Sequence, residues 1–239
     1  MQGAIRLFKF SGIQVYLHFS WFIIAIFAFG QRIGAYRSPI WAAAEYIALF
    51  AIVLLHEFGH ALACRQTGGQ ADQIVLWPLG GVAFVNPPRR PGAVLWSIAA
   101  GPLVNVVLVP ILTVLVMVLR PAEPELGTSD FYRWLDIVWQ INLGLLIFNM
   151  LPVYPLDGGQ ILRALLWFPL GEMRSLQIAS VIGLFGGIAL GALALPSLSF
   201  WWGLLALFVI SRAIAGWQYA RAMVVEKDTV PVPPDLPRV

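Results

Sequence analysis

The chain has 239 residues, 59% of them hydrophobic and only 11% charged, with a mean hydropathy of +0.80. A soluble domain carries about 25% charged residues, so a single-core globular protein is excluded and an integral protein of the lipid bilayer is expected. The formal net charge of +3 comes from basic residues scattered between apolar runs, without the basic stripe that a nucleic-acid partner requires.

Apolar segments of spanning length, about 17–25 residues, are read at 13–30, 40–64, 93–119, 134–154, 176–195 and 198–220. The first follows Arg6 and Lys9 as a signal peptide would. No A-x-A cleavage site lies close behind it and further spans follow, so it is kept as a helix. Between the second and third segments the pattern changes. The sequence TGG at 67–69 is a helix stop. QIVLWPLGGVAFVNPP follows, with β-branched and aromatic residues around glycine and proline, which reads as a strand-and-turn element. It is too short to span and too apolar for water, and such backbone at membrane depth must be covered by protein or line a wet cavity. The expected fold is therefore an all-α polytopic membrane protein of about six transmembrane helices with a short re-entrant β element. A core over 1–222 precedes a Pro-rich tail at 223–239, which is expected to be disordered.

Six spans put both termini on one side. That side receives ten basic residues, from Arg6 and Lys9 to Lys227 and Arg238, against four on the other, Arg32, Arg37, Arg120 and Arg133. The positive-inside bias makes the termini and tail cytoplasmic.

The second segment carries His56-Glu57-Phe58-Gly59-His60. On a helix, residues i and i+4 share a face, so His56 and His60 can bind one metal ion. Zinc suits imidazole nitrogen in tetrahedral geometry. Glu57, about 100° round the helix, is poorly placed as a ligand but can reach a water at the metal and act as base. Polar and ionisable groups inside apolar sequence are costly and need a compensating role. A hydrogen-bonded cluster that holds helices together is the structural alternative. A catalytic zinc site needs a third protein ligand. Cys64 lies eight residues from His56, about 12 Å along the axis, and is read as a core residue; His18 is read as interfacial. Glu45 is too far up the helix. Asp157 ends a segment interrupted by Pro152 and Pro155 and precedes Gly158-Gly159. Spacing alone leaves it open between third ligand and helix N-cap. Asn149 and Asn105 are amides in apolar sequence that must find partners; Asn149 is favoured for contact with a substrate carbonyl and Asn105 for packing.

These residues resemble the site-2 protease family of intramembrane zinc metalloproteases, in its compact form without PDZ or CBS domain. The resemblance rests on HEFGH at 56–60, GPLVN at 101–105 and NMLPVYPLDGG at 149–159. GIQVYLHFSW also looks like the family's first span, and PLGGVA like its re-entrant β element. It implies one zinc ion on His56, His60 and Asp157, Glu57 as the catalytic base and Asn149 in substrate binding. The activity implied is hydrolysis of a peptide bond within or near the transmembrane segment of a single-span membrane protein substrate. The setting implied is a bacterial or archaeal plasma membrane. Two other classes are kept: a membrane transporter with a midplane metal site, and a binder of membrane proteins that does not cut them.

Overall fold

In a computed structural model the chain is described over residues 3–77, 80–120, 129–195 and 200–229. It divides into two compact units, Met1–Met150 and Leu151–Val239.

The first unit opens with strands β1 (Ala4–Phe10) and β2 (Ile13–His18), followed by helix α1 (Ser20–Arg32), a 3-10 turn (Ile33–Ala35) and the long helix α2 (Pro39–Gln66). Strands β3 (Gln70–Trp77) and β4 (Gly80–Asn86) precede helices α3 (Pro91–Val118) and α4 (Asp130–Asn149). The four strands form one sheet in the order β1-β2-β3-β4. The outer pairs are antiparallel, while β2 and β3 run parallel with Val15 opposite Ile74 and Leu17 opposite Leu76. A parallel pair needs a crossover, and here α1 and α2 supply it.

The first predicted span, 13–30, is thereby corrected. Its opening residues are β2, and its helical part is 13 residues long, about 20 Å at 1.5 Å per residue. Phe10 pairs with Ile13 across Ser11-Gly12, and both turn residues have positive φ, 48° and 78°. That is the backbone of a two-residue hairpin turn matching the strand twist. Arg65, at the end of α2, fastens the turn by donating to the Ser11 carbonyl at 2.5 Å and the Gly12 carbonyl at 3.2 Å.

One face of the sheet packs on α2. Ile13, Val15, Ile74 and Leu76 are fully buried and cluster with Val53, Ala61 and Cys64 of that helix. Cys64 is thus a core residue, as its spacing indicated. The helix ends at TGG as expected. Gly68 has φ +85°, its N–H donates to the Arg65 carbonyl, and the Gly69 N–H donates to that of Cys64, both at 3.0 Å. This pair of bonds is a Schellman stop. At the other end of α2, Glu45 takes two bonds from the Arg32 Nε and Nη2 atoms and a third, 2.7 Å, from the Tyr36 hydroxyl. Burial first, and then the Glu45 carboxylate, push the Tyr36 phenol up to about 12. Asp130 at the start of α4 accepts from the backbone N–H groups of Arg37 and Ser38.

The second unit holds an irregular stretch and two helices, α5 (Asp157–Ala194) and α6 (Phe200–Thr229). α5 is two helices merged across a kink at Gly171, where φ is 81°. The loop before α5 lies against its helices where side chains are missing. A Cβ on Gly159 would stand 2.3 Å from the Tyr154 backbone nitrogen, and one on Gly183 would stand 2.4 Å from the Tyr154 carbonyl oxygen. α6 continues to Thr229, so the proposed tail begins inside a helix, and residues 230–239 lie outside the described residues.

The protein is mostly helical, but all-α understates it, because a four-stranded sheet supports α2. Among the described residues, four helices are long and apolar enough to cross a membrane: Pro39–Gln66, Pro91–Val118, Asp157–Leu193 and Gly203–Ala222. The expected count of about six differs by two. α1 is short, and α4 carries Asp130, Arg133 and Asp136 in its first half.

Candidate metal centre

Helix α2 buries one continuous stripe near its C-terminal end: Val53, His56, Glu57, His60, Ala61 and Cys64. This i, i+3, i+4 pattern is the face of a packed helix. The apolar members meet the sheet, and His56 and His60 meet α3. His56, Glu57 and His60 are 4%, 6% and 6% exposed, so all three are withdrawn from the surface.

The two rings converge. His56 Nε2 and His60 Nε2 are 3.0 Å apart, with the rings nearly perpendicular at 80°. The opposite ring nitrogens face oxygen. His56 Nδ1 is 2.6 Å from Asn105 Oδ1, and His60 Nδ1 is 2.9 Å from the Ser97 carbonyl oxygen. A carbonyl only accepts, so His60 Nδ1 carries the hydrogen and its Nε2 keeps a lone pair in the neutral ring. That lone pair points at the second imidazole. Bonds of about 2.0–2.1 Å in tetrahedral geometry place two ligand nitrogens roughly 3.3 Å apart, close to the spacing here. The donor set and its spacing fit a divalent ion held by two neutral imidazoles.

The neighbouring motif is read off the same contacts. A Cβ on Gly101 would lie 2.2 Å from His60 Nε2, and one on Gly59 would lie 2.5 Å from the Ala100 carbonyl oxygen. Glycine is therefore required twice where α2 and α3 meet, once for the ring and once for the backbone approach. Asn105, four residues past Gly101, is completely buried. Its role goes beyond packing, since it faces His56 directly. Its Nδ2 donates to Asn142 Oδ1 at 2.8 Å, and Asn142 Nδ2 donates back to the Asn105 carbonyl at 3.1 Å.

Asn142 is the residue that sequence reasoning missed. It lies two turns before Asn149 on α4, and residues seven apart share a helix face. A pair of amides at that spacing in an apolar helix was the available signal. Asn149 itself is the last residue of α4 and half-buried. Asp157 belongs to the second unit. It is buried and is the first residue of α5, while the N-cap position is Leu156, with no side-chain cap bond. His18 stands apart from the pair, stacked on Trp77 at 4.2 Å and bonded to the Ser20 hydroxyl.

Two imidazoles on successive turns, converging with a buried glutamate beside them, are the arrangement of a helix-borne H-E-x-x-H metallohydrolase. The pattern of peptidase family M50 matches residues 44–123 and 115–193. The chain belongs to that family. Zinc metalloprotease MJ0392 of Methanocaldococcus jannaschii is 34% identical over 234 residues, covering 96% of this chain and 64% of that protein. Stage IV sporulation protein FB of Bacillus subtilis is 30% identical over 156 residues, 63% of this chain and 46% of that one. The solved structure of the site-2 protease from Methanocaldococcus jannaschii superposes with a TM-score of 0.64 at 30% identity, covering 90% of this chain and 95% of that chain. The chain thus spans just under two thirds of the length of the first relative.

Proposed function

We propose that this chain is an intramembrane zinc metalloprotease, cutting a peptide bond within or near the transmembrane segment of a membrane protein. The observation that carries the reading is the convergence of His56 and His60 Nε2 at 3.0 Å, with Glu57 buried on the next position of the same helix. His56, His60 and Asp157 would hold the ion. Bound there, zinc would lower the pKa of a coordinated water and polarise the scissile carbonyl. Glu57 takes the proton of the attacking water and passes it to the leaving amine. Asn149 donates to the substrate carbonyl and helps hold the extended chain. A helical substrate must unwind first, because its carbonyls are already bonded. β4, an outer strand of the sheet, offers a backbone edge that an unwound segment can join.

The finer topology belongs to the same proposal. Adding α1 and α4 to the four long apolar helices gives six crossings, and the ten-to-four bias of basic residues puts both termini in the cytoplasm of a bacterial or archaeal cell. Residues 1–222 form the protease core, and the rest is a cytoplasmic tail.

The test pairs metal analysis with cleavage. Wild type and Glu57→Gln are purified in detergent, assayed for bound zinc and incubated with a panel of single-span substrates. Zinc in both with cleavage by wild type alone is expected, with a rate loss of about 10²-fold or more. Equal cleavage by both would remove Glu57 as the base. Zinc flux into proteoliposomes without cleavage would favour a transporter.

A further inference from the structure

We infer that Asn142 is a positioning residue, which acts through Asn105 to fix the tautomer of His56 and so keeps its Nε2 available as a ligand. The inference rests on His56 being a metal ligand.

The assignment runs outward from one atom that has no choice. The Asn105 backbone carbonyl can only accept, so the Asn142 atom 3.1 Å from it is Nδ2. Asn142 Oδ1 is then the atom that faces Asn105, and it too can only accept. The Asn105 atom 2.8 Å away is therefore Nδ2. That leaves Asn105 Oδ1 towards His56 at 2.6 Å, and His56 Nδ1 must carry the hydrogen. A neutral imidazole protonated at Nδ1 has its lone pair at Nε2. The same end state is reached at His60 by a backbone carbonyl, which cannot turn over. At His56 it depends on a side-chain amide, which can. An amide turned by 180° would offer N–H to Nδ1, move the ring hydrogen to Nε2 and abolish the ligand.

Asn105 and Asn142 are both fully buried, so water cannot take over the missing half of the pair. Buried amides find partners because an unsatisfied one keeps the full cost of losing water. The two bonds between Asn105 and Asn142 select one amide orientation over the other. Such partners behind a ligating histidine set ring orientation and basicity, and their loss costs about 10–100-fold in metal affinity.

The experiment uses the full-length protein in detergent. Nitrogen-15 spectra of the histidine rings, in protein stripped of metal, report the tautomer. Competition with a chromophoric chelator reports zinc affinity. In wild type His56 is expected as the Nδ1–H form. Asn142→Leu should give a mixture of tautomers and weaken zinc by about 10–100-fold. The double variant Asn105→Asp with Asn142→Leu should recover the wild-type tautomer and most of the affinity, because a carboxylate has no donor face to turn towards the ring. A purely structural role for Asn142 would show no such recovery, and that result overturns the proposal. So does an unchanged tautomer in Asn142→Leu. If wild type binds no zinc but the spectra follow this pattern, the metal-ligand reading fails while the hydrogen-bond relay stands.

Discussion

The two motif regions are built in opposite ways. HEFGH sits in the uninterrupted helix α2, with the sheet behind it and α3 in front. Helix periodicity sets where the two histidines stand, and neutral hydrogen bonds set how their rings turn. LDGG sits at the head of α5, just after an irregular stretch, and Asp157 is the first helical residue. Its placement depends on a loop whose backbone lies against glycines at 159 and 183. The first region is precise because it is regular. The second is precise only if the loop stays seated.

That contrast can be broken first at its closest contacts. Gly101→Ala puts a methyl 2.2 Å from His60 Nε2, so the ring must leave. Zinc affinity should fall by about 10-fold or more and cleavage should vanish, read by chelator competition and by gel assay. Gly159→Ala overlaps the Val153 and Tyr154 backbone at 2.3–2.4 Å. It should also end cleavage, yet leave weak zinc binding by the histidine pair. Equal zinc loss in both variants would mean that the two regions are not separable.

Smaller effects follow. Gly59→Ala drives a methyl to 2.5 Å from the Ala100 carbonyl, and overpacking of this kind costs about 1–3 kcal/mol. Thermal unfolding should show a lower Tm, with reduced activity. Proline at positions 82–85 of β4 removes backbone donors. If substrate joins that edge, KM should rise while zinc content stays constant; an unchanged KM would remove strand addition. Gly68→Ala is the control. Nothing lies within 4 Å of its Cβ position, but φ is +85°, so only backbone strain of about 1–2 kcal/mol is added, and zinc binding should not change.

Much of the architecture was legible because lipid imposes a coarse code. α2 and α3 begin and end within two residues of the apolar runs read from the sequence, and TGG stops α2 where glycine chemistry requires. The hairpin at Ser11-Gly12 was missed because IQVYLH is apolar enough to be counted into a helix, and alternation over six residues is a weak signal beside hydropathy. His56, Glu57 and His60 were found because charge in apolar sequence is conspicuous. Asn142 was not, although its spacing to Asn149 marked it, because its value lies in a contact with Asn105 of α3 that the sequence does not show. The part of Asp157 was open from spacing alone, since proline and glycine mark a break without saying what the break presents.

The parallel pairing of β2 with β3 has a consequence for synthesis. Gln14 lies opposite Gln73, so β2 leaves the ribosome long before its partner exists. At about 5–20 residues per second, the intervening chain takes roughly 3–12 seconds to make. For that interval the N-terminal hairpin has only itself to pair with, and the apolar edge of β2 is left open. The sheet that braces α2 can close only after that helix has been synthesised. Synthesis of α2 therefore comes before assembly of the floor beneath it, and a delay there would expose β2 to every other unpaired strand in reach.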